Sequence, residues 1–259
     1  MSTQESVNPG NTKFLVIGTP QLSKKLPDTM TLSFLSKEIK PVFSAKDLGV
    51  IVDSHLTYNE RIRTLISSCT SKLCQINRVK DSFDKETLNL IISSFVISKL
   101  FYCSSMWSNT SSTNISKLQT VQNFACRIIT KTSKYDHITP TLCQIGWIPV
   151  SEQLLLRDSL MAFKCMNSLA PPYLSNTFSK RSSIHNRLTR NQDSVQIPLY
   201  RTASGQRSFH YRVVKLWNSL DDNVKKATSL SHFKKLMKNH LFDNCNYYFK
   251  LYIFIYLIL

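Results

Sequence analysis

The stretch KDLGVIVDSHLTYNERI, Lys46–Ile62, sets Asp53 and His55 two positions apart at the end of an apolar run. On a strand, residues two apart point the same way, so the pair could act as an acid–base couple. Such a couple needs a third partner and a pocket, and the sequence offers no other convergent set. The simpler expectation is that Asp53, Ser54 or Asn59 caps the helix that follows, because these side chains supply the oxygen a helix N-terminus needs. Asp221–Asp222 is the only Asp–Asp pair. Paired carboxylates hold the two metal ions of nucleotidyl transfer, yet NSLDDNVKKA reads as a polar turn between helices. The histidines are scattered, and HExxH, GxSxG, GxGxxG and GxxxxGK[ST] are all absent. That excludes the common zinc-protease, serine-hydrolase and phosphate-cradle designs. The seven cysteines show no CxxC spacing and mostly fall in apolar helical stretches. They read as reduced, buried residues of an intracellular protein, nuclear or cytoplasmic, with no zinc site. No cofactor and no small-molecule substrate are expected.

The elements that must position these residues are mainly helical. TKFLVIG, TLSFLSKEIKPV and KDLGVIVD suggest a few short strands, with Gly49 at a bend or bulge. From Asn59 the apolar period becomes helical, through Ile62, Leu65, Ile66, Cys69, Leu73 and Ile76. A second helix starts at the N-cap Asp84 and runs through Trp107; it is apolar on most sides and so should be central and buried. A third presents Ile115, Leu118, Val121, Ala125, Ile128 and Ile129 on one face. DHITPTLCQIGWIPV reads as a linker with Trp147 and Pro149 as a plug. Ser151 then caps a helix that Pro171–Pro172 stops. Beyond it, Ser194–Tyr200 is a strand candidate, and FHYRVVKLWNSL and SLSHFKKLMKNHLF read as amphipathic helices. The expected division is a polar N-terminus (1–11), a small β remnant (12–58), a helical bundle (59–172), a basic α/loop region (173–243) and a hydrophobic tail (244–259). The tail, apolar or aromatic from Leu251, falls short of the roughly 20 residues a membrane span needs. Its A/T-codon composition suggests translation past an older stop.

Charge is the strongest global signal. The 259 residues carry 33 Lys+Arg against 16 Asp+Glu, a formal +17. From Phe178 to Phe242 there are thirteen Lys/Arg and three Asp/Glu, a net of +10. Such a balance favours polyanions. KLQTVQNFACRIITKTSKY and RTASGQRSFHYRVVKLW interleave cations with aromatics, which suits phosphate neutralisation and base stacking. The residues expected to touch nucleic acid are Lys117, Arg127, Lys131, Lys134, Arg201, Arg207, Arg212 and Lys215.

Taken in order, NTKFLVIGTPQLSKKL, KPVFSAKDLGVIVDSHLTYNERI, FVISKLFYCSSMW, KLQTVQNFACRIIT, HITPTLCQIGWIPVSEQLLLRDSLMAFKCMNSLAPPYL and VVKLWNSLDDNVKKATSLSHFKKLMKNHLF resemble the C-terminal part of the reverse transcriptase (RNA-directed DNA polymerase) of jockey-like and chicken-repeat-like non-LTR (LINE) retrotransposons. The resemblance spans about Asn11 to Phe242. It implies that TKFLVIG is a late palm strand, that Leu48, Gly49 and Val50 belong to a primer-grip-like hairpin, and that the helices from Asn59 form the thumb. It implies a template–primer duplex of RNA and DNA as partner. In the family the catalytic carboxylates lie upstream, in a Tyr-Ala-Asp-Asp-type hairpin that this sequence does not contain, so Mg²⁺ is expected only in a full-length relative. The expectation is a truncated, inactive fragment with residual non-specific duplex binding. The alternative is a helical protein-interaction module co-opted by its host.

Overall fold

The computed structural model describes residues 12–27, 29–184 and 193–242. It is mainly α, with small strand pairs confined to its N-terminal end. Here β1 (Phe14–Leu15) leads into the short helix α1 (Pro20–Ser23), then β2 (Leu32–Phe34), β3 (Lys37–Ile39), β4 (Pro41–Val42), β5 (Ser44–Asp47) and β6 (Val50–Asp53). β1 pairs in parallel with β4, while β2–β3 and β5–β6 are antiparallel hairpins. Asp47 lies opposite Val50, so Leu48 and Gly49 alone make the β5–β6 turn. Both have positive φ, 42° and 84°, the signature of a type I′ turn. The expected bend or bulge at Gly49 is therefore a hairpin tip.

α2 (Asn59–Val79) buries Ile62, Leu65, Cys69, Leu73 and Ile76, as the apolar period predicts. α3 (Lys85–Ile92) is capped by Asp84, whose Oδ1 accepts from the Thr87 N–H at 2.6 Å. The helix continues through a π-helical turn (Ser93–Ile97) into α4 (Ser98–Leu100), then breaks at Cys103, where φ is 50°. α5 (Ser104–Trp107) follows. The expectation of one continuous, all-round buried helix fails here. Leu88, Ile92, Val96, Leu100 and Trp107 face the core, whereas Leu90 and Phe95 stand 68% and 62% exposed. α6 (Ser112–Thr130) starts at the N-cap Ser111 and buries Leu118, Val121, Ala125, Ile128 and Ile129.

The stretch expected to be a linker contains a helix, α7 (Ile138–Gln144), anchored by buried Thr141 and Leu142. Trp147 packs partly buried against the core beside it. α8 (Val150–Met166) starts before Ser151, so Ser151 is not its cap. The reason is tertiary: Gln119 Oε1, from α6, accepts from the Val150 N–H at 2.8 Å and does the work of a local cap. α9 (Pro172–Ser175), α10 (Ala203–Gln206), α11 (Phe209–Ser219), α12 (Asp222–Lys225) and a final helix, α13, over residues 230–242 complete the described chain. The strand expected at Ser194–Tyr200 reduces to a single bridge between Val195 and Lys180. The side-chain amide of Asn218 takes up both the N–H and the carbonyl of Val195, at 2.9 Å each, and so replaces a strand partner.

Two apolar cores result. One lies among α2, α3, α4 and α6 with Trp107, Val150 and Leu154. The other gathers Leu156, Ala162 and Phe163 with Val213, Val214, Trp217, Phe233, Met237 and Leu241. At its centre the Phe163 and Phe233 rings lie 4.6 Å apart, with Trp217 stacked on Phe233 at 6.1 Å. α8 contributes to both cores through successive turns.

Candidate nucleic-acid interface

Asp53 sits at the end of β6 and is 4% exposed. Its Oδ1 accepts from His55 N at 3.1 Å, Thr57 N at 3.0 Å and Thr57 Oγ1 at 3.2 Å; its Oδ2 accepts from Tyr58 N at 2.6 Å. Every bond goes to the turn it spans. His55 points elsewhere, with Nδ1 3.0 Å from the Gly18 carbonyl and its ring edge-on to Phe43. The two are no acid–base couple. Nor does Asp53 cap α2 in the usual way: Tyr58 holds the N-cap position in a left-handed conformation, φ 58°, without a side-chain cap. Asp53 instead satisfies the backbone that enters the helix.

Asp221 N-caps α12, accepting from Asn223 N at 2.9 Å, and Asp222 pairs with Lys225 at 3.3 Å. The pair is the polar turn that the sequence suggests. Among the described residues, no group of three His, Cys, Asp or Glu is gathered as metal ligands. These carboxylates are committed to turns and a local ion pair. They do not fit the Mg²⁺ that the resemblance implies for a full-length relative.

The β5–β6 tip shares with the β2–β3 turn at Leu35–Ser36 an exposed leucine at positive φ, and differs from it in being braced from below. Leu48 is 84% exposed in the left-handed region, which an L residue with a bulky side chain seldom adopts. A side chain from α2 and one from the turn between α4 and α5 hold it there. Tyr102 donates its hydroxyl to the Leu48 carbonyl at 3.0 Å, and Arg61 Nη1 donates to the Gly49 carbonyl at 3.2 Å. Arg61 is 7% exposed, and burial lowers its pKa below the ordinary arginine value. Val50, the third residue that the resemblance assigns to a primer-grip-like hairpin, is fully buried beneath the tip. An apolar side chain is thus presented to solvent on a turn whose two carbonyls are hydrogen-bonded by Tyr102 and Arg61.

Beside this base runs the outer face of α2. Arg63, Thr64, Ser67, Ser68, Ser71, Lys72 and Gln75 line a shallow groove of about 660 Å³. Lys99 reaches into it from α4, donating to Ser68 Oγ at 2.5 Å. The lining carries hydroxyls, amides and cations and no carboxylate. Small hydroxyl residues allow close approach, and the cations suit phosphates. Sequence reasoning passed over these residues. Their signal is the spacing of Arg63, Ser67, Ser71 and Gln75 at i, i+4, i+8 and i+12, opposite the apolar stripe of the same helix.

The eight expected cations fall elsewhere. Arg127, Lys131 and Lys134 gather at the end of α6, where Arg127 donates to the carbonyls of Ser133, Lys134 and Asp136 and so ties the following loop. Lys131 pairs with Asp81 at 3.2 Å, and Lys134 lies over the Tyr135 ring. Lys117 is exposed on α6. Arg201, Arg207 and Lys215 are exposed around α10 and α11, with Lys215 over Tyr211. Arg212 faces inward: it pairs with buried Asp158 at 3.0 Å and donates to the Ser105 and Arg207 carbonyls. Its charge is neutralised within the fold.

Of the cysteines, Cys69, Cys126 and Cys165 are buried, Cys143 is half-buried, and Cys74 and Cys103 are exposed, so the expectation of general burial holds for only some. None of these six is in a disulfide; Cys245 lies outside the described residues, as does the apolar tail. No helix among the described residues is long and apolar enough to cross a membrane.

These features define a mainly α-helical protein built on two apolar cores, with a small β element at its N-terminal end and a braced hairpin tip. The chain matches no protein-family model, no curated protein and no solved structure.

Proposed function

We propose that this chain is the late-palm, thumb and C-terminal part of a non-LTR retrotransposon reverse transcriptase, and that it binds RNA–DNA duplex without sequence preference. The supporting observation is the braced tip, Leu48–Gly49 held by Tyr102 and Arg61, beside a groove of hydroxyls and cations on α2. A duplex end set against the tip would run its backbone along that groove, where Arg63, Lys72 and Lys99 meet phosphates. The sequence contains no Tyr-Ala-Asp-Asp-type motif, so the role assigned to these residues is holding the duplex.

The test is fluorescence anisotropy with an RNA–DNA hybrid across a salt series. Binding should fall steeply with salt and be equal for two unrelated sequences. Each lost phosphate contact reduces the log–log slope by about 0.9 on B-form duplex, a guide for the hybrid. Replacing Arg63, Lys72 and Lys99 by Ala should therefore flatten the slope by about 2 to 3. No binding at low salt, a flat response, or an unchanged slope in the triple variant would remove the proposal. A parallel variant at Lys117, Lys134, Arg201, Arg207 and Lys215 measures what the sequence-expected cations add.

A further inference from the structure

Arg157 is a cation that the fold does not balance. It lies on α8 with its guanidinium 5.2 Å from the Phe101 ring centre and Nη1 3.4 Å from the Phe101 carbonyl. Its Nε is buried without a hydrogen-bond partner. Asp158, next in sequence, turns the other way toward Ser108 and Arg212. The ion pairs among the described residues join Lys131 to Asp81, Arg212 to Asp158 and Lys225 to Asp222, and none includes Arg157. A guanidinium drawn partly out of water without a counter-charge is costly to keep.

That guanidinium lines a groove of about 360 Å³ between α5 and α8. Phe101, Met106, Leu160 and Met161 supply apolar walls, and Lys164 a second cation. Met106 is 45% exposed, and the adjacent Tyr102 47%. No acidic side chain enters the lining. Methionines adapt to irregular apolar partners.

We propose that this groove binds an acidic, apolar peptide segment of a partner protein. A partner Asp or Glu pairs with Arg157 and Lys164, and a neighbouring Leu, Phe or Met fills the space between Met106, Leu160 and Met161. Charge complementarity and the apolar walls together select this occupant. A duplex backbone would satisfy the cations but sets only sugar edges against two methionines and a leucine, whereas an apolar side chain fills the space between them. The groove shares no residue with the α2 face, so this inference stands apart from the duplex-binding one.

The experiment is selection of a displayed library of random peptides on the immobilised full chain, with excess RNA–DNA hybrid present to occupy surfaces that only need charge. Enriched peptides should carry Asp or Glu beside Leu, Phe or Met. Their affinity should fall about tenfold or more on Arg157→Gln and on Met106→Glu, as expected when one partner of a desolvated contact is lost. Met106 is exposed, so its substitution leaves the fold intact, which a circular-dichroism melt verifies. Three results would overturn the proposal: no enrichment above an empty support, enrichment of peptides lacking either the acid or the apolar residue, or unchanged binding to Met106→Glu.

Discussion

Tyr102 reaches across 54 positions to donate its hydroxyl to the carbonyl of Leu48 at 3.0 Å. That bond, with the one from Arg61 to Gly49, couples the N-terminal hairpin to the helices. Tyr102→Phe deletes it while keeping the ring. We expect a stability loss of about 0.5–1 kcal/mol, faster amide exchange at the tip, and weaker hybrid binding. Leu48→Asn should do the opposite to stability, raising it by about 1 kcal/mol because Asn tolerates the left-handed turn, while still weakening hybrid binding. A gain in both stability and binding would separate the tip from recognition.

Asp53 accepts four hydrogen bonds from one turn. Asp53→Ala leaves buried N–H groups unpaired and should cost about 3 kcal/mol. Asp53→Asn keeps the acceptor oxygen but sets an amide against donors, and should cost about half as much. Urea denaturation measures both. Equal stability of all three forms would show that water replaces the carboxylate without loss.

The Asp158–Arg212 pair joins α8 to α11, with Asp158 4% exposed. Asp158→Ala or Arg212→Ala alone strands the other charge and should cost about 3–5 kcal/mol. Asp158→Leu with Arg212→Met replaces both by apolar groups and should recover most of that loss. A double-mutant cycle from thermal melts reads the coupling directly.

His210 packs edge-on against Phe178 at 5.0 Å. Burial pulls its pKa below the ordinary value of 6.5, against a smaller upward effect of the Thr177 backbone. The native state therefore prefers the neutral ring. As pH falls through 6.5 the unfolded chain gains the proton first, so stability drops toward lower pH. Urea midpoints taken above and below that value should differ, and His210→Phe should shrink the difference. An unchanged pH dependence in the variant assigns it to other groups.

Burial pushes the Cys126 thiol up to about 11, and also raises Cys69 and Cys165. The thiolate is the reactive form. A disulfide reagent at mildly alkaline pH should modify Cys74 and Cys103 in the native protein and leave Cys69, Cys126 and Cys165 until unfolding. Mass spectrometry of the quenched products checks the order.

The helical period located α2 and α6 and their buried residues, and Asp84 marked the start of α3. Those signals are local, because amphipathic spacing and capping chemistry are written within a few residues. The failures share one cause. α8 starts where Gln119, 31 positions away, bonds Val150. The strand expected near Val195 is replaced by the amide of Asn218. Arg212 is basic in sequence, yet its charge is cancelled by Asp158, 54 positions earlier.

The sequence by itself determined the class: a basic, mainly helical chain with a few strands at one end, and a hairpin implied only by resemblance. Tertiary structure alone decided which cations face solvent and which apolar residues stay exposed. Composition fixes how much charge a chain carries. Where that charge points depends on pairings between distant residues, and a period of two or 3.6 cannot encode them.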